Sequence, residues 1–426
     1  MMTLVGGVCS GIQRDWSPPL CTRLCRVADT IGQLVIPLLF IGASILTAAL
    51  ACPAVIHAVI LPLVAIGASA LAAFFFSKRS SIHQILFAPP PSPVAPIELV
   101  NGKMPEGIPA DAPRGFYNQS NNCALNAILQ MANRDPGLAR WMREPLDDQV
   151  PILNNNLLIL KQTLHAFYEA NDKAVAEGLG QSQGNSQDVR NALHLISNHA
   201  IPASPAAQID AMEALEYVLT LAPDSLKSRI ETTYTFSPEV QRILPMDQLP
   251  ASKVERVGFL SLPLEKNGDQ TPTLEWLFDR YRDNPNAEPQ RRYDQNGVSC
   301  DYPVDNVHID LIDPPPALRF HIKRFTQQRT LGVWHTVKLH TPVESPQQFT
   351  VNLKDGRQQT YRLSAFVEHH GEYGGGHYTS NCIGSDGTKY IMNDSRISRM
   401  DPNNPKHQEA WKKSLEQAYL LCYVPV

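Results

Sequence analysis

Gly115-Phe116-Tyr117-Asn118-Gln119-Ser120-Asn121-Asn122-Cys123-Ala124-Leu125-Asn126-Ala127-Ile128-Leu129-Gln130 is the stretch on which the reading of this chain turns. Its first half is polar and loop-forming. From Cys123 onward, Leu125, Ile128, Leu129 and Ala132 recur at helical spacing, so the cysteine is expected at a helix N-terminus. There the unpaired backbone N–H groups and the positive end of the helix dipole favour thiolate over thiol. A single cysteine at a helix start is more often an inert core residue, so the segment needs a partner.

The partner lies far downstream, in His369-His370-Gly371-Glu372-Tyr373-Gly374-Gly375-Gly376-His377-Tyr378, followed by Met392-Asn393-Asp394-Ser395. A glycine-rich turn delivers His377 to the start of a strand, where the ring can be held while the chain beside it stays free of side chains. Between His377 and Asn393 there is room for a strand, a turn at Ser385-Asp386-Gly387 and a return strand. Asn393 can therefore come back beside His377 as an orienting third group. The order Cys, His, Asn is an arrangement used by cysteine proteases. The bland alternative is a glycine-rich surface loop with an incidental histidine.

These two segments resemble, in order, the Cys box and the His box of ubiquitin-specific proteases, the latter over 361–395 with His369-x-Gly371, Gly376-His377-Tyr378 and Asn393-Asp394. Shorter blocks resemble the same family: Gln208-Ile209-Asp210-Ala211-Met212-Glu213, Phe259-Leu260-Ser261-Leu262-Pro263-Leu264, His321-Ile322-Lys323-Arg324-Phe325 and Ala418-Tyr419-Leu420-Leu421-Cys422-Tyr423. The resemblance covers 111–426. It implies an α+β fold of papain-like thumb and palm, with a cleft that accepts the C-terminal tail of ubiquitin, and ubiquitin and ubiquitinated proteins as partners.

By the same resemblance Cys123 is the nucleophile, His377 the base and Asn393 its orienting partner. Asn118 is the oxyanion-hole amide, and Asp394 is a second polar position beside the third triad member. Asp210 and Glu213, expected together on one helix face opposite Ala211, Leu215, Val218 and Leu219, would hold the arginines of the ubiquitin tail. Gly374, Gly375 and Gly376, with Tyr378, would line a passage that only a Gly-Gly tail can thread. No cofactor is implied. The family commonly binds zinc in a fingers subdomain through two Cys-x-x-Cys pairs, but no cysteine lies between Cys123 and Cys300, so fingers without zinc and no metal site are expected.

Outside these motifs, hydropathy dominates the first hundred residues. From Thr30 to Ser77 there is no Asp, Glu, Lys or Arg, a run of 48 residues interrupted by Cys52-Pro53. Ile31–Ala51 and Ala54–Phe76 each approach the ~20 residues that cross a bilayer core, which describes a two-helix transmembrane hairpin. Each stretch contains Ile-Gly-Ala-Ser, at Ile41–Ser44 and Ile66–Ser69, and such small residues let membrane helices pack closely. Arg23 and Arg26 before the hairpin and Lys78 and Arg79 after it put both ends on the cytosolic side. In outline the hairpin resembles that of inclusion-membrane proteins, which vacuole-dwelling bacteria secrete into the membrane around them. That gives two settings, a cellular endomembrane and a host vacuole or inclusion membrane reached by secretion.

The expected organisation is thus an N-terminal cytosolic segment (1–29), the hairpin (30–77), a Pro-rich linker (78–110) containing Ala88–Pro96, and a catalytic domain (111–426) hanging in cytosol. The net charge of −4 is spread over 426 residues without a basic stripe, so nucleic acid is not expected as a partner. Cys9, Cys21, Cys25, Cys52, Cys123, Cys300, Cys382 and Cys422 follow no disulfide-framework spacing, as suits a reducing compartment. Within the domain, Arg319–Phe325, Tyr361–Glu368 and Tyr419–Tyr423 read as strands, with Leu363, Ala365 and Val367 on one face. Leu274, Leu277, Phe278 and Tyr281 read as a helix capped by Thr271, with Pro272 at its first position. Two other functions compete: a protease for another ubiquitin-like modifier, and a non-catalytic, membrane-tethered ubiquitin-binding protein.

Overall fold

Tyr419-Leu420-Leu421-Cys422-Tyr423 is apolar without alternation, as a strand must be when both faces of its sheet are covered. In the computed structural model Tyr419, Leu420 and Cys422 enter one core and Leu421 and Tyr423 another, on opposite faces of the same strand. The structure describes residues 94–119, 121–145, 155–249, 251–285, 287–330 and 333–426. The segment 1–29 and the hairpin expected over 30–77 lie outside the described residues. Among the described residues, no helix is long and apolar enough to cross a membrane.

Five helices make one lobe: α1 (Cys123–Ala132), α2 (Pro136–Arg143), α3 (Asn155–Ala176), α4 (Ser186–Ile196) and α5 (Ala211–Leu221). Among the strands that follow are β1 (Ser228–Thr235), β2 (Ala251–Val257), β3 (Leu260–Pro263), β4 (Asn306–Leu311), β5 (Leu318–Lys323), β6 (Phe325–Thr330), β7 (Val333–Lys338), β8 (Gln348–Asn352), β9 (Gln358–Glu372), β10 (Gly375–Ile383), β11 (Lys389–Asn393), β12 (Arg396–Arg399) and β13 (Ala418–Pro425). Helix α6 (Leu274–Arg282) precedes β4 and α7 (Pro405–Glu416) precedes β13. The central sheet runs β12-β11-β10-β9-β13-β5-β3, with β8 also on β9. Helix α1 lies against β9, β10 and β11. Every residue of α1 is buried, because the helix has lobe on one side and sheet on the other. Helices α6 and α7 cover the opposite sheet face through Leu277, Phe278, Trp411 and Leu415.

A second sheet, β2-β1-β4 with the two-residue strand Asp283–Asn284 on the outer side of β4, stands apart. An apolar cluster of Phe236, Val240, Leu244, Tyr302, Val304 and Val307 packs beside it. The four cysteines among the described residues, Cys123, Cys300, Cys382 and Cys422, are all free.

Three expectations need correction. Leu363 does not share a face with Ala365 and Val367. The register against β13 slips between Leu363 and Ala365, a bulge that sends Leu363 into the core with Phe366 and turns Ala365 and Val367 toward the lobe. Helix α6 starts later than read: Thr273 caps it by accepting from the Trp276 N–H at 3.1 Å, so Pro272 lies before the cap. The linker over 78–110 ends earlier, since its last part is docked on the domain. Val94 is buried, Ile97 N–H donates to the Ile397 carbonyl at 2.6 Å, and Met104 N–H donates to the Gly178 carbonyl at 2.9 Å.

Candidate active site

Cys123 is the first residue of α1, as the sequence spacing implies, and it is 6% exposed. His377 is the third residue of β10, and its ring faces the Cys123 side chain. The hairpin through Ser385-Asp386-Gly387 returns along β11 and brings Asn393 beside it, with His377 Nε2 and Asn393 Oδ1 at 2.9 Å. An amide oxygen can only accept, so Nε2 carries the proton, which leaves Nδ1 for the thiol. Burial alone would lower the His377 pKa. The hydrogen bond and charge of Cys123, the charge of Asp394 and the bond to Asn393 together outweigh it and raise the pKa to about 9. At neutral pH this imidazole is a cation.

Asp394 adopts a left-handed backbone (φ 53°) just past β11 and fastens the two halves of the site together. Its carbonyl accepts the Phe116 N–H at 2.9 Å. Its Oδ2 accepts from Asn118 Nδ2 at 2.9 Å and its Oδ1 from Asn126 Nδ2 at 2.7 Å. Asp394 Oδ2 stands 3.8 Å from His377 Nε2, an ion-pair distance, while the direct hydrogen bond goes to Asn393. Asn118 is held at both ends, since its Oδ1 accepts the Asn122 N–H at 3.0 Å. One Nδ2 hydrogen remains beyond the bond to Asp394.

Asp210 and Glu213 do not share a helix face. Asp210 is the N-cap of α5, outside the helix proper, where its Oδ1 accepts from Met212 N–H at 2.8 Å and Glu213 N–H at 3.2 Å. Its carboxylate also accepts from Tyr378 Oη at 2.9 Å and Tyr419 Oη at 3.0 Å. Tyr378 is therefore tied to Asp210. Glu213 lies in the first turn, with its pKa raised by burial and then by the charges of Asp210 and Glu216. Gly374 forms the turn at φ +80°, and Gly375 and Gly376 open β10. A Cβ at Gly376 would lie 2.0 Å from His369 Nε2 and 2.5 Å from the His370 carbonyl oxygen, so only glycine fits immediately before His377.

Several residues here escaped sequence reasoning. Gln208 grips the Gly376 backbone from both sides, donating to its carbonyl at 2.8 Å and accepting its N–H at 3.2 Å. It lies in one of the short family-like blocks, the only signal that could have singled it out. Lys338 of β7 donates to the carbonyls of His369 at 2.5 Å and Gly371 at 3.2 Å, tying the β6–β7 hairpin to the glycine turn. Burial lowers its pKa to about 8. No local pattern marks it.

A cysteine at the start of a buried helix, facing a histidine and asparagine on an adjoining sheet, defines the papain-like class of thiol hydrolases. The sequence profile of the ubiquitin carboxyl-terminal hydrolase family matches residues 114–423, and the chain belongs to that family. Putative ubiquitin carboxyl-terminal hydrolase 11 of Arabidopsis thaliana is 35% identical over 109 residues, which are 25% of this chain and 12% of that protein. Ubiquitin carboxyl-terminal hydrolase 12 of Saccharomyces cerevisiae is 31% identical over 119 residues, 27% of this chain and 9% of that protein. The match thus spans about a tenth of the length of these curated relatives. Among solved structures, the SAGA Ubp8/Sgf11/Sus1/Sgf73 DUB module bound to ubiquitin aldehyde is similar at a TM-score of 0.52 and 19% identity, covering 74% of this chain and 70% of that one. That likeness speaks to the fold.

Proposed function

We propose that the chain is a thiol-dependent deubiquitinase that hydrolyses isopeptide bonds after the C-terminal Gly-Gly of ubiquitin. One observation carries the reading: Cys123 at the start of α1 facing a His377 ring that is hydrogen-bonded to Asn393, in a chain of the ubiquitin carboxyl-terminal hydrolase family. In this mechanism the Cys123 sulfur attacks the glycine carbonyl carbon, and its proton resides on His377. The Asn118 amide and the N–H groups at the start of α1 stabilise the oxyanion. Collapse breaks the C–N bond and His377 protonates the leaving lysine amine. Water, deprotonated by His377, then hydrolyses the thioester and frees the thiol. Glu213, the glycine turn and Tyr378 flank the path of the tail.

The decisive experiment reacts the chain with a panel of modifiers, each carrying a C-terminal electrophile, beginning with ubiquitin. An adduct with ubiquitin at Cys123 supports the reading. An adduct only with another modifier redirects it, and no adduct with any leaves a ubiquitin-binding tether. A pH dependence follows from His377. The imidazolium that must protonate the leaving amine is present below its raised pKa and lost above it, so kcat/KM is expected to hold through pH 8 and fall above about 9. An Asn393→Ala chain, lacking one of the bonds that raise that pKa, should lose activity at lower pH; an unmoved alkaline limb counts against the orienting role.

The membrane reading rests on the 48-residue uncharged run and its flanking basic residues. We read residues 31–76 as a hairpin anchor with the catalytic domain on its cytosolic side. The outline shared with inclusion-membrane proteins favours a secreted bacterial effector acting on host ubiquitin conjugates. Alkaline carbonate extraction of the full chain tests the anchor: it stays in the membrane pellet if residues 31–76 span, and passes to the supernatant if they do not.

A further inference from the structure

Arg190 is 0% exposed and, among the described residues, has no carboxylate as a hydrogen-bond partner. It lies on α4, and its guanidinium donates to the Pro202 carbonyl at 2.8 Å, to Asn122 Oδ1 at 3.0 Å and to the Ala207 carbonyl at 2.6 Å. These acceptors satisfy donors but supply no charge, and a buried cation without a counter-charge is costly. Burial pulls the Arg190 pKa down, and the charge of Cys123 pulls it back up. Cys123 is the residue that follows Asn122.

Asn122 shows what this arginine does locally. It occupies the N-cap position of α1, where an asparagine ordinarily accepts a bond from the first-turn N–H groups, yet its side chain makes no cap. Its Oδ1 is taken by Arg190, and its Nδ2 donates to Gln187 Oε1 at 3.2 Å, both partners on α4. The free N–H groups and dipole of a ten-residue buried helix therefore stay open at Cys123.

We infer that Arg190 is a positioning residue of the thiol site: it withholds the Asn122 cap from α1 and sets a positive charge behind the Cys123 sulfur, favouring its thiolate. This rests on the reading of Cys123 as the nucleophile. The elements packed against α1 carry other acidic, basic and histidine groups: His377 on β10, Lys389 on β11 and Asp394 past it, Asp188 and His194 on α4, Asp210, Glu213 and Glu216 at α5, and, on β9, Arg362, Glu368, Glu372, His369 and His370. Burial lowers the pKa of the last two to about 3, so they add no charge at neutral pH. Arg190 acts beside the His377 cation, and the thiol and imidazole titrate as a pair.

The test compares the full chain with its Arg190→Gln and Arg190→Lys variants, after circular dichroism has shown which are folded. Iodoacetamide labelling of Cys123, followed by peptide mass spectrometry from pH 5 to 10, gives the midpoint at which the thiol becomes reactive. Arg190→Gln keeps two donors and removes the charge, so its midpoint is expected to rise by about one pH unit. Arg190→Lys keeps the charge, so its midpoint moves less than that of Arg190→Gln. One ammonium cannot hold three acceptors in a fork, however, and adduct formation with the ubiquitin electrophile falls about ten-fold or more.

A folded Arg190→Gln chain that titrates like wild type overturns the inference, as does an Arg190→Lys chain with wild-type adduct rate. If Arg190→Gln does not fold, the Lys variant decides alone. Should the predicted midpoint shift appear in a chain that forms no ubiquitin adduct, the positioning role stands and the ubiquitin reading falls. If the wild-type adduct survives Cys123→Ala, the assignment of the nucleophile fails, independently of any Arg190 result.

Discussion

Replacing Cys123 with alanine is expected to lower kcat for release of a fluorophore from the ubiquitin C-terminus by about 10⁶-fold, with binding of ubiquitin retained. The size follows from covalent catalysis: without the sulfur there is no thioester, and the remaining donors can only polarise a carbonyl that water attacks unaided. The fold should tolerate the change. One sulfur atom leaves a buried position at the end of a helix whose other nine residues stay packed, a loss of about 1 kcal/mol. His377 supplies a second readout. Its pKa is raised in large part by the bond and charge of Cys123, so in Cys123→Ala its NMR titration should move down from about 9. Hydrolysis within a hundred-fold of wild type, or a histidine titration that does not move, would sink the assignment.

Much of this site could be read from residue order because the information is local. The switch from polar to helical spacing at Cys123 marks a helix start, and the turn residues at Ser385–Gly387 mark a hairpin that returns Asn393 to His377. The strands of the central sheet were legible for a similar reason, since burial on both faces leaves apolar runs. What could not be read depends on contacts across long separations. Asp210 looked like half of an acidic helix face, but Tyr378 and Tyr419, 168 and 209 residues downstream, meet its carboxylate and leave it a cap. Nothing local marks Arg190; its burial depends on the loop that brings the Pro202 and Ala207 carbonyls to its guanidinium. The bulge beside Ser364 has no marker of its own, and it inverts the face on which Leu363 lies.

The second large effect concerns stability. Asp135→Ala is expected to cost about 4 kcal/mol in urea unfolding, with the midpoint falling and the slope unchanged. Asp135 is 1% exposed and does two things at once. Its Oδ1 caps α2 through the Gly137 and Leu138 N–H groups, each at 3.1 Å. Its Oδ2 accepts from Arg319 Nε at 2.8 Å and from Arg319 Nη2 in a fork, and Arg319 is itself 2% exposed on β5. The alanine therefore removes a cap worth about 1 kcal/mol and leaves a guanidinium buried with only the carbonyls of Leu226 and Gly258.

Asp135→Asn separates these terms, because an asparagine still caps but carries no charge; it should lose most of the pairing and keep the helix. Arg319→Met, which strands the carboxylate instead, should cost about as much as Asp135→Ala, and the double change Asp135→Asn with Arg319→Met should cost less than the sum, since no buried charge is left unpaired. A single-variant loss below 1 kcal/mol would mean the pair is dispensable. The pair also bears on activity. Asp135 ends the short link from α1 to α2, whose preceding residue Arg134 accepts at its carbonyl from Ser364 Oγ of β9 at 2.6 Å, so the helix that presents Cys123 and the sheet that presents His377 are joined at this point. Loosening it should reduce kcat at temperatures where the chain is still folded, before unfolding is detected, because, on the proposed mechanism, a misplacement of about 1 Å between Cys123 and His377 costs about 10²-fold.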